Sequence, residues 1–532
     1  MYVIGLDFGT LSVRALLVDA QTGEIVTTSV SDYAHAVIEE TLPNSMVKLS
    51  QDWALQHPQD WLDGLQNSIL AILKAVPETG QVRGIGIDFT ASTPLPVDAS
   101  GTALCELASF AAKPHAWPKL WKHHAAQSQA TRMTDLALAQ KAPWLARYGG
   151  IISSEWLLPK AMQIMEEDPE TYAEIDLFVE GGDWVAWQLT GNFQRNACAA
   201  GFKGQWHKAD GYPDEAYLTE LHPQLTDFYQ TKGRGAVVPP GSNVGTLTSE
   251  WATRLGLPET VQVAVGLIDA HAGVVGAGVT QPDILYMAMG TSTCHMLMAP
   301  QETLCAGISG VVEDGILPDW FTYEAGQAAV GDIFNWFTEH VGLSHDELTT
   351  KAAQFNPGES GLLALDWWNG CRTPLVDAGL SGVLLGYTLQ TPPEAVYRAL
   401  LEATAYGTRL IVETYTQTGL EINRLRVSGG LTKNDLLLQI YADVVGLPIE
   451  ICSTDQASGL GAAILGAAAS GIYPSLAEAM KAMAPKPSRV ISPNSTHQET
   501  YNGLYKIYKE MVDLFGDSVA SPLRKLREID QR

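Results

Sequence analysis

One pattern occurs twice in this chain, and it constrains the fold more than any other feature. Tyr2 to Phe8 is a β-rich run, Gly9-Thr10-Leu11-Ser12 is a turn, and Val13 to Asp19 is a second β-rich run. From Ile284 the phrase returns: a strand pattern over Ile284 to Met289, the turn Gly290-Thr291-Ser292-Thr293, and a strand pattern over Cys294 to Met298. A single Gly-Thr turn carries little information. Two of them, each opening one half of the chain, predict two related domains that face each other. A length of 532 residues accommodates two such cores. The expected boundary lies in the glycine-rich stretch from Gly273 to Pro282. This predicts an N-terminal domain over 1–278, a C-terminal domain over 279–490 and a helical tail over 491–532.

Between these landmarks the chain reads as mixed α/β. Helical spacing of Trp53, Trp61, Leu65, Ile69, Ile72 and Leu73 predicts a helix within Asp52 to Val76. Val82 to Phe89 is an apolar run with two glycines, a buried strand. The region from about 105 to 230 is rich in helical and aromatic residues and reads as an insertion that shapes a pocket. Further on come a helix from Pro393 to Thr418, a strand at Leu425 to Val427, and a glycine pair at Gly429-Gly430. A helix from Asn434 to Val445, a small-residue helix opened by Gly459 to Ala463, and a surface helix from Thr496 to Phe515 complete the order.

Composition excludes several functions. The formal net charge is −26, from 33 Lys+Arg against 59 Asp+Glu, so nucleic acid and anionic lipid would be repelled. Any anionic ligand must be held by local donors. Hydrophobic residues make up 46% and charged residues 17%, which argues against disorder. Six isolated cysteines without a CxxC pair read as reduced thiols, predicting a cytoplasmic protein. The N-terminus has no basic leader, and the longest apolar stretches, Val263 to Val279 and Gly459 to Ile472, are poor membrane spans.

A Gly-Thr turn between two strands presents backbone N–H groups and a hydroxyl, which suit a phosphate, so Gly9, Thr10, Ser12, Gly290 and Thr291 are candidate phosphate ligands. Asp7, at the end of the first strand, reads either as the strand-terminal acid of an ordinary hairpin or as a holder of Mg²⁺, directly or through water. No G-x-x-x-x-G-K-[ST], G-x-G-x-x-G, H-E-x-x-H or G-x-S-x-G phrase is present, which removes the P-loop, Rossmann, zincin and hydrolase-elbow readings. Asp269, after the strand-like run ending at Ile268, reads either as a helix N-cap or as a general base at the domain junction. Gly429-Gly430-Leu431-Thr432-Lys433-Asn434 follows a strand and opens a helix, where glycines let a ring or phosphate approach the backbone. His123-His124 are adjacent and cannot share a helix face, so they read as structural rather than as metal ligands.

These phrases together resemble the FGGY carbohydrate kinases, from Val3 to about Gly471. The resemblance is carried by Gly5-Leu6-Asp7-Phe8-Gly9-Thr10-Leu11-Ser12, Asp88-Phe89-Thr90-Ala91-Ser92-Thr93, Gly181-Gly182-Asp183-Trp184, Met289-Gly290-Thr291-Ser292, Tyr323-Glu324-Ala325-Gly326-Gln327 and Gly429-Gly430-Leu431. Leu120-Trp121-Lys122-His123-His124, Ile152-Ser153-Ser154-Glu155-Trp156 and Asp366-Trp367-Trp368-Asn369-Gly370 are narrower and resemble the branch that acts on L-ribulose. The resemblance implies two RNase H-like domains of the actin-like ATPase class, with a cleft between them. It implies ATP and Mg²⁺ as cofactors and γ-phosphoryl transfer to the terminal hydroxyl of a ketopentose. It further implies Asp269 as the base, Asp7 as the Mg²⁺-side carboxylate, and Ala91, Lys203, Asp269 and Glu324 as sugar contacts. Gly290, Thr291, Gly429, Gly430 and Asn434 match nucleotide-side positions. Ile151, Cys371 and Ser458-Gly459 depart from the family pattern, the last beside the expected adenine pocket. D-ribulose, xylulose and ribitol remain alternative acceptors, an actin-like ATPase switch is the reading from another class, and a homodimer is left open.

Overall fold

Two seven-stranded sheets organise the protein in its computed structural model, which describes residues 1–76, 78–517 and 521–530. The first sheet contains β1 (Tyr2–Phe8), β2 (Ser12–Asp19), β3 (Ile25–Asp32), β4 (Val82–Phe89), β5 (Asn243–Thr246), β6 (Gln262–Ala264) and β7 (Leu267–Ile268). Its order is β3-β2-β1-β4-β6-β5, with β7 also pairing β4. The second contains β8 (Ile284–Met289), β9 (Thr293–Ala299), β10 (Gly310–Glu313), β11 (Phe321–Gln327), β12 (Arg424–Ser428), β13 (Ile449–Ile451) and β14 (Arg489–Ile491), in the order β10-β11-β9-β8-β12-β13-β14.

The two sheets share a plan. In each, the Gly-Thr turn joins an antiparallel pair, β1 with β2 and β8 with β9. In each, the first strand of that pair then gains a parallel neighbour, β4 on β1 and β12 on β8. The internal repeat read from the turns is therefore a repeat of whole sheets.

Helices cover the faces: α1 (Pro58–Ile72), α2 (Ala197–Gly204), α3 (Asp269–Gly276), α4 (Pro393–Thr416), α5 (Ala457–Ala469) and α6 (Ser495–Gly516) are those that matter for the site. Helix α1 starts later than its apolar spacing suggests. His57 precedes a proline, which disfavours helical backbone, and its ring Nδ1 accepts the Gln59 N–H at 3.2 Å, capping the helix there. Trp53 is consequently outside the helix, edge-on to the His115 and His123 rings. Helix α6 is not a bare surface helix. Tyr501, Tyr505 and Tyr508, spaced four and three apart, put one face into the second core with exposures of 0, 2 and 0%.

Three cores result. The first is built on one face of the first sheet and the second on one face of the second sheet. A third draws Val3, Leu16 and Ala272 from the first half together with Tyr286, Met296, Leu460 and Ile464 from the second. It exists because strand alternation sends Ile4, Leu6 and Phe8 into the first core and Val3 and Gly5 the other way. On that opposite face glycines admit α5 to near backbone contact. A Cβ on Gly86 would stand 1.8 Å from the Ala462 carbonyl oxygen, and one on Gly461 would stand 1.9 Å from that of Ala272. Helices α3 and α5 thus lie against each other and against the first sheet, tying the halves of the chain together.

Candidate active site

The face of the first sheet that receives α5 also carries two acids. Parallel register sets Asp7 opposite Asp88, one residue pair beyond the Leu6–Ile87 pair and two beyond Gly5–Gly86. Alternation points both carboxylates to the α5 side rather than into the first core. Strand β7 pairs with β4 so that Leu267 lies opposite Asp88, and the chain turns into α3 at Asp269. Three carboxylates are thereby collected from three consecutive strand ends of one sheet.

Asp269 is the first helical residue of α3, and Ile268 occupies the cap position without a side-chain hydrogen bond. The N-cap reading of Asp269 is therefore set aside. Among the described residues its carboxylate accepts from the neighbouring Ala270 N–H alone, with Oδ1 at 2.7 Å. Burial pushes its pKa up to about 7, with Asp7 and Glu324 adding to the rise and the Ala270 N–H and Lys203 opposing it. Burial also raises Asp7, against the pull of Asp88 and Arg14. Asp88 is held well above the ordinary carboxylate range, by burial first and then by Asp7 and Asp269.

The second half contributes the opposite wall. Lys203 of α2 reaches Glu324 of β11 with its Nζ 3.4 Å from both carboxylate oxygens, across the two halves of the chain. Glu324 feels burial as an upward push, but Lys203, His271 and Arg372 together hold it below its usual value. Lys203 is in turn kept charged by Glu324 and Glu155 despite burial. His271 of α3 stands 3.5 Å from Glu324, and burial drops its pKa to about 4, so it is neutral near pH 7. The Lys203–Glu324 contact is long for a charge-assisted hydrogen bond, which leaves both groups with capacity for hydroxyls.

Each Gly-Thr turn is closed by its glycine N–H, but on a carbonyl three residues ahead in the first and two ahead in the second. The Gly9 N–H donates to the Ser12 carbonyl at 2.9 Å, and the Gly290 N–H donates to that of Ser292 at 2.9 Å. Thr10 is fixed from outside: Gln56 Nε2 donates to its carbonyl at 2.8 Å and Trp121 Nε1 to its Oγ1 at 3.1 Å. Gly429, with φ of +100°, fits beneath the end of β8, where a Cβ would lie 2.3 Å from the Met289 carbonyl oxygen. Gly430 beside it opens on free space. Asn434 has structural employment: its Oδ1 caps the helix Asp435–Val445 through the Leu437 N–H at 3.0 Å, and its Nδ2 donates to Thr349 at 3.2 Å. Ala91 lies on the loop after β4, whose Ser92 carbonyl accepts from the buried Lys160 Nζ at 2.7 Å.

Sequence reasoning missed four residues here. Asp88 was legible as an echo, since Gly86-Ile87-Asp88-Phe89 repeats Gly5-Leu6-Asp7-Phe8. Glu155 stood inside the quoted Ile152–Trp156 phrase without a role, and nothing in the local sequence marks His271 or Arg372 as site residues. Arg372 lies along β11 because Gly326 has no side chain; a Cβ there would be 3.1 Å from Arg372 Cδ. Of the adjacent histidines, His123 is structural: it is fully buried, accepts the Ala54 N–H at 3.3 Å and pairs with Gln163 at 2.8 Å, whereas His124 is exposed.

Comparison with known proteins bears on the family and the fold. Residues 2–276 match the model for the N-terminal domain of the FGGY family of carbohydrate kinases, and residues 285–470 match the model for its C-terminal domain. The chain is 47% identical to a ribulokinase of Geobacillus thermodenitrificans, covering 99% of this chain and 96% of that one. It is 46% identical to a ribulokinase of Shouchella clausii, covering 100% and 98%. Among solved structures it superposes on a ligand-bound xylulose kinase from Lactobacillus acidophilus with a TM-score of 0.82 at 18% identity, covering 97% of this chain and 99% of that one. A glycerol kinase of Plasmodium falciparum with ADP gives 0.79 at 17%, covering 96% and 98%. With both family models matched and full-length relatives at this identity, the chain belongs to the FGGY family of carbohydrate kinases.

Proposed function

We propose that this kinase transfers the γ-phosphoryl group of ATP to the 5-hydroxyl of L-ribulose, giving L-ribulose 5-phosphate and ADP. The observation that carries the reading is Asp269: a carboxylate with pKa about 7 and a single neighbouring donor, in the same charge cluster as Lys203 and Glu324. Ribulose follows the name of the full-length relatives, and the L-form follows the resemblance carried by the Leu120–His124, Ile152–Trp156 and Asp366–Gly370 phrases.

In this reading the sugar lies between Lys203, Glu324, Ala91 and Asp269. Lys203 donates to hydroxyl oxygens and Glu324 accepts from hydroxyl protons. Asp269 accepts the proton of the 5-hydroxyl as its oxygen bonds to the γ-phosphorus, while the bond from that phosphorus to the β–γ bridging oxygen breaks and ADP departs. A base near pH 7 in strength suits this role, because a loose transition state releases the proton late. Gly9, Thr10 and Ser12 on one side and Gly290 and Thr291 on the other supply donors to the ATP phosphates, with Gly429, Gly430 and Asn434 toward the nucleoside.

A divalent cation, Mg²⁺ by its chemistry, fits at Asp7. The side chain is 22% exposed, is oxygen-only, and adjoins Asp88, whose two oxygens meet no donor among the described residues. Bound there with ATP, the cation supplies neutralisation of phosphate charge. The six thiols form no disulfide and none of the described helices is long and apolar enough to cross a membrane; the thiols support a reducing, cytoplasmic setting.

Coupled ADP release over a panel of ketopentoses and pentitols tests the proposal. The expected result is turnover that needs both sugar and Mg²⁺, with L-ribulose highest in kcat/KM. ATP hydrolysis indifferent to sugar, or a xylulose or pentitol ranked first, would overturn it.

A further inference from the structure

Asp88 poses a problem that the sugar and phosphate contacts do not solve. It is 0% exposed, at the end of a central strand, and neither carboxylate oxygen finds a hydrogen-bond donor among the described residues. Such a group is rare, since buried polar atoms are almost always paired and an unpaired buried charge is costly. Its neighbour in the sheet register is another carboxylate, Asp7. The Arg14 guanidinium lies 4.0 Å from Asp7 Oδ2 and donates to Gln456, but supplies no hydrogen bond to Asp88. Two facing carboxylates with no other donor are joined either by a shared proton or by a shared cation.

We propose that Asp88 is a second carboxylate ligand, beside Asp7, for the divalent cation that accompanies ATP. The inference rests on the kinase reading above and extends it to a residue outside the candidate set. Three features of the fold support it. Parallel register places Asp7 and Asp88 at the same height, on the same face. The glycines behind them, Gly5 and Gly86, bring α5 down to the sheet and leave these two side chains as the first that project beyond that contact. The partial exposure of Asp7 would give an ion access to a pair whose other member, Asp88, is fully buried.

Asparagine at position 88 separates the two ways of joining the pair. It has the shape of the protonated acid and can hydrogen-bond to Asp7, but it is a poor ligand for a hard cation. Mn²⁺ binding is read by electron paramagnetic resonance on the full chain with a non-hydrolysable ATP analogue and L-ribulose. Asp88→Asn should weaken Mn²⁺ about tenfold or more, with nucleotide affinity in the absence of metal unchanged and the metal-free melting temperature no lower than wild type. Asp88→Cys should shift preference from Mn²⁺ toward Cd²⁺, because a thiolate favours the softer ion. Wild-type Mn²⁺ affinity in Asp88→Asn, or no change of metal preference in Asp88→Cys, would overturn the inference and leave the kinase reading intact. Failure of the wild-type chain to bind nucleotide at all would instead remove the kinase reading, and this inference with it.

Discussion

Replacing Asp269 by asparagine should make the protein more stable and far less active, and the size of both effects follows from one observation. Burial raises the Asp269 carboxyl from 3.8 to about 7 in the folded chain. Below pH 4 the side chain is protonated in folded and unfolded states alike, so the wild type and Asp269→Asn should melt together. As pH rises from 4 to 7 the unfolded chain releases the proton while the folded chain retains it, and wild-type stability falls. Above pH 7 the loss is complete. At 1.36 kcal/mol per pKa unit the upper limit is roughly 4 kcal/mol. Asp269 is only half-buried by solvent exposure, and solvent screening brings the expected gain nearer to roughly 1–2 kcal/mol. Chemical denaturation of both proteins at pH 4, 5.5, 7 and 8 measures the gap. Activity should move the other way: loss of the proton acceptor lowers kcat by roughly 10²–10⁴, and wild-type kcat/KM should rise through an apparent pKa of about 7. A variant that is no more stable at pH 8 than at pH 4, relative to wild type, would refute the claim that Asp269 is held in strained ionisation. A variant with ordinary turnover would refute its role as base.

Further expectations concern the walls of the site, the joint between the halves and the core of the second half. Lys203→Met leaves Glu324 buried without its partner and should raise the sugar KM about tenfold or more, with the KM for ATP unchanged in steady-state kinetics. Gly86→Ala puts a methyl 1.8 Å from the Ala462 carbonyl and should cost roughly 1–3 kcal/mol or more by calorimetry, whereas Gly430→Ala, facing open space, should leave the melting temperature unchanged. Arg398→Met breaks a buried set in which Arg398 Nε donates to Glu402 at 2.7 Å and Tyr501 bonds both; a loss of roughly 3–5 kcal/mol is expected in denaturant titration.

Much of the fold was readable because its signals are local. The paired Gly-Thr turns announced two equivalent sheets, and each turn does join an antiparallel strand pair. Apolar spacing located α1 but not its start, which a His57-Pro58 cap decides. The tyrosine stripe of α6 was in the sequence as well, yet whether such a stripe is buried depends on a surface that only the folded second sheet provides.

For the site the division is sharper. Asp7 and Asp269 stand at strand ends, and residues at strand ends announce themselves through the apolar run that precedes them. Asp88 did so too, in the echo of Gly-x-Asp-Phe, although its meaning appears only when parallel register sets it against Asp7. His271, Glu155 and Arg372 have no such local mark. His271 and Arg372 come near Glu324, and Glu155 near Lys203, because α3 packs on α5 and because Gly326 leaves room for a long side chain. The sequence by itself determined the strands, the turns and the family. Tertiary structure alone decided which charges meet, because Coulomb interaction and desolvation depend on distance and burial, and the order of residues along a chain specifies neither.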